Sequence, residues 1–132
     1  MSNTQRYQFG KAEKLKSRKD IQMLFDRGKA LNLPGLRLIY RIEEGEAACK
    51  AGVSASSRQF KKATDRNRIK RLLREAYRHH KKPLLDWTTN EQKTLNLFLL
   101  YIGKEIPKYA TLKTEVENIL LRLQKKLNAK DQ

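Results

Sequence analysis

Residues 64–82 read TDRNRIKRLLREAYRHHKK, and their apolar and basic side chains segregate at helical spacing. The apolar members recur at i, i+3, i+4, i+7 and i+8 and share one side of a helix: Ile69, Leu72, Leu73, Ala76 and Tyr77. The opposite side carries five cations and an amide: Asn67, Lys70, Arg71, Arg74, Arg78 and Lys81. Like charges four residues apart each destabilise an isolated helix by roughly 0.2 to 0.5 kcal/mol, so a polyanion is the natural partner of this face.

The charge of the whole chain is concentrated around the same stretch. The 132 residues have a formal net charge of +16 and a pI near 10.2. Residues 58–82 contain eleven Lys or Arg and two acidic residues, a net charge of +9. An ordinary solvated helix face, the plainest alternative, carries mixed charge. The concentration of positive charge favours a nucleic-acid surface.

The exact sequence of residues 66–78, RNRIKRLLREAYR, indicates a protein family more specifically than its charge does. It resembles the arginine-asparagine-arginine signature helix of the bacterial ribonuclease P protein family, and a looser resemblance extends from about Leu15 to about Lys104. The resemblance implies an accessory subunit of an endoribonuclease holoenzyme. In that holoenzyme a large RNA is the catalyst and removes the 5′ leader of precursor tRNA. We therefore expect no cofactor on the chain itself, with magnesium acting through the RNA.

Two RNA-binding surfaces are implied by this resemblance. The signature helix would face the catalytic RNA through Arg66, Asn67, Arg68, Lys70, Arg71, Arg74 and Arg78. A cleft between the first helix and the sheet would hold the single-stranded leader through Phe25, Leu38, Tyr40, Lys50, Arg58 and Lys104. Aromatic faces suit unpaired bases, and cations suit phosphates. For Phe25 and Tyr40 the alternative is plain core packing.

The segments before the signature helix predict one helix and two strands. Ser17 is typical of a helix N-cap and Gly28 of a helix end, and the helix between them would bury Ile21, Leu24 and Phe25. Residues 36–42 alternate as a strand with its even-numbered residues on one face. Residues 47–56 would be the hairpin partner of that strand. Thr64 or Asp65 would then cap the signature helix.

The segments after the signature helix complete an α+β fold. Pro83 would end the signature helix, and Trp87 would anchor the core. Residues 95–102 are the most apolar run and predict the central strand. Residues 112–127 form a last amphipathic helix. Together with a short strand near residues 29–32, which only the resemblance implies, we expect a four-stranded sheet packed with three helices. The resemblance also implies a left-handed βαβ crossover, whereas the general rule predicts a right-handed one.

The sequence contains no arrangement that indicates catalysis by the chain alone. It has no Walker loop, nucleophile elbow or Rossmann glycine pattern. His79 and His80 are adjacent, so on a helix they diverge by about 100° and cannot chelate one ion. We therefore predict neither catalytic residues nor a metal site. The single Cys49 allows no internal disulfide and is expected to be a small buried hydrophobe.

Length and hydropathy predict one domain over residues 1–132, ordered from about 15 to 128, with flexible tails at 1–14 and 129–132. No apolar run approaches the roughly 18 residues of a membrane span, and no secretion signal is apparent. We expect a cytoplasmic protein whose partners are the catalytic RNA and the precursor tRNA leader, with no membrane and no obligate protein partner.

Three other functions are compatible with the same residues. A ribosomal or other structural RNA-binding protein, without a role in tRNA processing, would share the charge and the fold class. A DNA-binding module could place the basic helix in a major groove, although no second helix at helix-turn-helix spacing precedes it. A basic amphipathic helix also suits an acidic protein or a membrane surface.

Overall fold

The computed structural model describes residues 13–15 and 17–129. Its elements, in chain order, are α1 (Arg18–Arg27), β1 (Lys29–Leu33), β2 (Leu36–Glu44), β3 (Ala48–Ala55), α2 (Ala63–His80), α3 (Lys82–Glu91), β4 (Lys93–Tyr101) and α4 (Tyr109–Ala129). The predicted tails lie outside the described residues except at positions 13, 14 and 129. Within the described part of the chain, no helix is long and apolar enough to cross a membrane.

Helix α1 begins and ends where the sequence predicts. The Ser17 hydroxyl accepts a hydrogen bond from the Asp20 backbone N–H at 3.3 Å. At the other end the Gly28 N–H donates to the Leu24 carbonyl at 2.8 Å. A Cβ atom at position 28 would clash with that carbonyl and with the backbone of β2. Glycine is therefore required by space at this helix end.

The four strands form one mixed sheet in the order β1-β2-β4-β3. β2 is antiparallel to both β1 and β4, and β3 is parallel to β4. The predicted short strand and the predicted central position of the most apolar run are confirmed. The predicted pairing of β3 with β2 is wrong, because β4 lies between them. Residues 95–99 are buried on both sides of the strand, as expected for an interior strand of a covered sheet.

The crossover from β3 to β4 contains two helices where one was predicted. α2 ends at His80, and a further helix, α3, starts at Lys82 with Pro83 in its first turn, a position that does not need a backbone N–H. α3 ends at Gln92, whose φ of 57° is left-handed. The hand of the crossover stays a prediction from the family resemblance.

The start of α2 also differs from the prediction. Its N-cap is Lys62, which makes no capping hydrogen bond through its side chain, so neither Thr64 nor Asp65 caps the helix. Because α2 starts at Ala63, Asp65 lies inside the first turn, where its negative charge interacts favourably with the helix dipole.

The sheet is covered on both faces, and the two cores differ in size. The main core lies between the sheet and helices α2, α3 and α4, and includes Leu97 and Leu99 of β4, Tyr77 of α2, Trp87 of α3 and Leu123 of α4. A smaller core lies under α1 on the other face and consists of Leu15, Leu24, Ile39 and Phe98, with Ile21 packed against it. The basic helix α2 and the first helix α1 therefore lie on opposite faces of the sheet.

Candidate RNA-binding surfaces

Helix α2 separates an apolar face from a basic face, as its periodicity predicts. Its buried residues are Ile69, Leu73, Ala76 and Tyr77. Of the seven residues assigned to the RNA subunit by resemblance, four are exposed and three are half-buried. The exposed residues are Asn67, Arg68, Arg71 and Arg74, and the half-buried ones are Arg66, Lys70 and Arg78. We call these seven residues the basic face.

Most of the basic face is not engaged by the protein itself. Within residues 13–15 and 17–129, no side-chain hydrogen bond or ion pair engages five of its members: Asn67, Arg68, Lys70, Arg71 and Arg74. Their donors are available to an external acceptor. Four positive charges held on one rigid helix suit the phosphates of a folded RNA, which such contacts position without reading its sequence.

Arg66 differs from the others because its guanidinium already has acceptors. Nη1 donates to the carbonyls of Phe60 and Lys61, at 2.7 and 3.0 Å. Phe60 is buried beside Tyr101, with the ring centroids 6.0 Å apart. Arg66 therefore fixes the connector between β3 and α2, and only its remaining donors can reach an RNA.

Arg78 is also partly committed. Its Nη2 lies 2.5 Å from a Glu75 carboxylate oxygen, and the other Glu75 oxygen lies 2.9 Å from His79 Nε2. The hydrogen bond with His79, followed by the one with Arg78, lowers the pKa of the Glu75 carboxyl. The C-terminal end of the basic face is thus closer to neutral than its middle.

Lys81 was predicted on the same face, and that prediction is wrong. Its side chain is fully buried, and its ammonium pairs with Glu13 at 2.5 Å. Lys81 is the C-cap of α2 and lies outside its helical span. The 100° projection therefore no longer describes its direction.

The second surface lies on the α1 side of the sheet. Phe25 of α1 is 46% exposed, and its ring centroid lies 5.3 Å from that of Phe98 on β4, at an angle of 44°. The prediction that α1 buries Phe25 is therefore wrong, whereas Leu24 is buried as expected. We call the cleft face those residues of β2, β3 and β4 whose side chains share the side of Phe98. The strand register places Ile39 and Gly52 directly beside Phe98 on it.

Leu38 and Tyr40 do not belong to this cleft. Both lie in the main core, with exposures of 0% and 4%. Side chains alternate between the faces of a strand, so the cleft face receives the odd-numbered residues of β2. The predicted placement of Leu38 and Tyr40 in the cleft is therefore wrong, and Ile39 occupies the corresponding place on the cleft face.

Lys50, Arg58 and Lys104 were the predicted cations of the cleft. Lys50 is half-buried on the cleft face, two residues before Gly52. Arg58 and Lys104 are exposed in the segments that follow β3 and β4. Because those strands are parallel, both segments leave the same end of the sheet. Lys50 therefore lies on the cleft face, whereas Arg58 and Lys104 lie beyond one end of the sheet.

Two further cations on the cleft face were missed. Arg37 is exposed and donates from Nε to the Asn32 side-chain oxygen at 2.9 Å. Arg41 lies 3.3 Å from Glu43 through Nη1. The spacing of Arg37, Ile39 and Arg41 places all three on one side of β2. The sequence shows this alternation, but the prediction assigns the even-numbered residues of β2, Leu38 and Tyr40, to the leader.

The adjacent histidines and the buried cysteine engage groups within the protein. The described residues contain no group of three or more His, Cys, Asp or Glu that could hold a metal ion. His80 Nδ1 lies 2.9 Å from the Ala76 carbonyl, so the two adjacent histidines engage different groups. Cys49 is buried, and burial raises the pKa of its thiol to about 11, against a smaller opposing effect of the hydrogen bond with Tyr77. A neutral buried thiol is a poor nucleophile.

Comparison with known proteins gives one consistent result. The model of the family described as Ribonuclease P matches residues 9–124. The ribonuclease P protein component of Porphyromonas gingivalis is 32% identical over 125 residues, which cover 93% of this chain and 91% of that protein. The solved structure of the RNase P protein from Thermotoga maritima has a TM-score of 0.66 at 25% identity, and covers 83% of this chain and 96% of that one. The RNase P protein from Staphylococcus aureus, at 20% identity, shares the fold with a TM-score of 0.59.

Proposed function

This chain belongs to the ribonuclease P protein family, and from that premise we propose that its two surfaces hold two different RNAs. Members of the family are protein components of an endoribonuclease holoenzyme that processes tRNA, so this chain is an accessory subunit associated with the ribonuclease P RNA. In our proposal the basic face of α2 contacts that RNA, and the cleft face contacts the 5′ leader of precursor tRNA.

The basic face suits the RNA subunit because of its shape and its unengaged donors. Arg68, Lys70, Arg71 and Arg74 project from a single helix, and the adjacent positions of α2 are buried in the main core. A rigid row of cations matches a fixed arrangement of phosphates in a folded RNA. Since phosphate contacts carry no sequence information, recognition depends on the shape of that RNA.

The cleft face suits a single strand because it combines apolar and charged groups. The single observation that carries this part of the proposal is the exposed Phe25 ring against Phe98, on the same sheet face as Lys50 and Arg37. Unpaired bases stack on aromatic rings and their phosphates contact cations, and neither interaction depends strongly on sequence. Arg58 and Lys104 would extend the path of the leader beyond one end of the sheet.

The chemistry of cleavage lies with the RNA in this proposal. Magnesium would be held by the RNA and its substrate, and the protein would contribute affinity for the leader. The chain then acts by holding the precursor more tightly than the mature tRNA, which has no leader to occupy the cleft.

The test compares two exposed apolar residues of α1 in the reconstituted holoenzyme. Phe25→Ala should weaken binding of precursor tRNA with a long leader by roughly 5- to 150-fold, the loss of one stacked base. Binding of mature tRNA should not change. Met23→Ala is the matched control, because Met23 is 40% exposed against 46% for Phe25 and lines a separate groove formed by residues of α1. Equal ratios of precursor to mature affinity for wild type and Phe25→Ala would refute the leader site.

A further inference from the structure

Lys81 is a buried charge that neither RNA-binding surface uses. Its side chain has no exposed area, and its Nζ lies 2.5 Å from Glu13 Oε1, a residue 68 positions earlier in the chain. Taking an ammonium out of water is strongly unfavourable unless it is paired. Such a pair is a poor source of net stability, since apolar residues of similar volume often replace one without loss. Unlike an apolar contact, the ion pair holds its two charged groups in a defined direction.

Glu13 begins a short segment, residues 13–15, that crosses the edge of the sheet at β3. Glu13 lines a cavity with Cys49 and Leu85, on the side of the main core. Leu15 lies on the other side and is buried with Phe98 in the smaller core. Between them the Leu15 N–H donates to the Ala51 carbonyl at 2.9 Å, and Lys14 bridges Ala51 in parallel register. The segment is thus anchored on both faces of the sheet.

This segment completes a niche at the border of the cleft face. The niche has a volume of about 170 Å³, and Lys14 and Leu15 form one wall of it. Its other linings include Ile21 of α1, Phe98 of the cleft face and Arg74 of the basic face. Ser17, the N-cap of α1, follows Leu15 by two residues. The position of residues 13–15 therefore determines where one wall of the niche lies. It also determines where α1, the helix that carries Phe25, begins.

We propose that Glu13 and Lys81 are positioning residues for the leader. Their ion pair fixes the register of residues 13–15 on β3, and this register shapes the site where the leader binds. This inference rests on the proposed function of the cleft face. A slip of one residue along β3 would turn Leu15 away from Phe98 and move Lys14 out of the niche. Leu15 alone makes a non-directional apolar contact. The charged pair adds a directional contact from the opposite face, so only one register satisfies both.

The first experiment observes the segment directly in the free protein. Hydrogen exchange at the Leu15 amide reports its bond to the Ala51 carbonyl. Glu13→Gln removes the charge and keeps the size of the side chain, so it should speed exchange at Leu15 by at least about tenfold, because a weaker neutral hydrogen bond replaces the charged contact between Glu13 and Lys81. Amides of β4 should keep their protection. Unchanged exchange at Leu15 would overturn the inference whatever the cleft binds.

The second experiment measures the leader in the reconstituted holoenzyme. Glu13→Gln and Lys81→Met should each lower the ratio of precursor to mature tRNA affinity by at least about fivefold, the equivalent of one weak base contact. Binding of the RNA subunit should stay within about twofold, since the unengaged cations of α2 are untouched. Lys82→Met is the matched control, because Lys82 has an exposed partner, Asp86, at 2.8 Å and a side chain that is 52% exposed.

The outcomes separate the two proposals. A wild-type holoenzyme without preference for precursor tRNA would refute the leader site, and the positioning role would fall with it. A wild-type preference that Glu13→Gln retains in full would overturn only the positioning role. If Lys81→Met does not fold, Glu13→Gln decides alone, since the Glu13 side chain is 25% exposed and tolerates an uncharged amide better. A loss of preference in Lys81→Met equal to that in Lys82→Met would assign the Lys81 effect to the lost positive charge and overturn the inference, whereas Glu13→Gln raises the net charge, so any loss of preference in that variant has another cause.

Discussion

The basic face of α2 predicts a definite dependence of RNA binding on salt. Each phosphate that a cation neutralises contributes roughly 0.7 to 0.9 to the slope of log affinity against log salt concentration. Four cations of this face have no side-chain hydrogen bond or ion pair within the described part of the chain: Arg68, Lys70, Arg71 and Arg74. They should together contribute about 3 to the slope. A fourfold rise in salt should then weaken binding of the RNA subunit on the order of 10²-fold.

Arg71→Ala is the sharpest perturbation of this face. Arg71 is exposed and makes no contact that the core needs, so the variant should fold normally. It should flatten the slope by roughly 0.7 to 0.9, whereas Arg122→Ala, which removes an exposed arginine from α4, should leave it unchanged. The assay is equilibrium binding of the labelled RNA subunit over a fourfold range of KCl. Magnesium must be held constant, because divalent cations compete for the same phosphates.

Two results would refute the reasoning. If Arg71→Ala and Arg74→Ala both retain the wild-type slope with native circular dichroism, the basic face does not contact phosphate. If affinity falls equally at every salt concentration with no change of slope, these side chains act through hydrogen bonds or packing and not through charge.

The remaining predictions concern the core. Tyr40→Ala should destabilise the protein by roughly 3 to 5 kcal/mol in urea unfolding, because Tyr40 is only 4% exposed, and a loss below 1 kcal/mol would return it to a surface role. Cys49 should resist alkylation at about pH 8 until the protein unfolds, because burial raises the pKa of its thiol from 9.0 to about 11. Alkylation of the folded protein at the rate of a free thiol would contradict this burial. Since the pKa of the thiol is higher in the folded state, the free energy of unfolding should also fall as pH rises from about 9 to 11.

The helices illustrate how far periodicity reaches. The spacing of Ile69, Leu73 and Tyr77 predicted the buried side of α2 because each contact repeats along one local axis. The same projection failed at Lys81, one residue past the helix. The direction of the Lys81 side chain depends on its contact with Glu13, and a local sequence pattern cannot predict a partner 68 residues away.

The strands show a different limit. Alternation in β2 correctly grouped Leu36, Leu38 and Tyr40 on one face. It could not tell which helix covers that face, since both faces of this sheet are covered. A period of two defines faces and not their partners. The aromatic character of Tyr40 then favoured the wrong face for the cleft, and the cations of the opposite face, Arg37 and Arg41, were overlooked.

The basic face and the cleft face meet at β3. α2 packs on one face of the sheet and α1 on the other, so most of the basic face is separated from the cleft face by the sheet. β3 is an edge strand, however, and Arg74 of the basic face lines the same niche as Phe98 of the cleft face. An RNA backbone that follows α2 would therefore pass the rim of the cleft. Residues 13–15 lie at this border, so a small shift of the segment would affect the leader before it affects the RNA subunit.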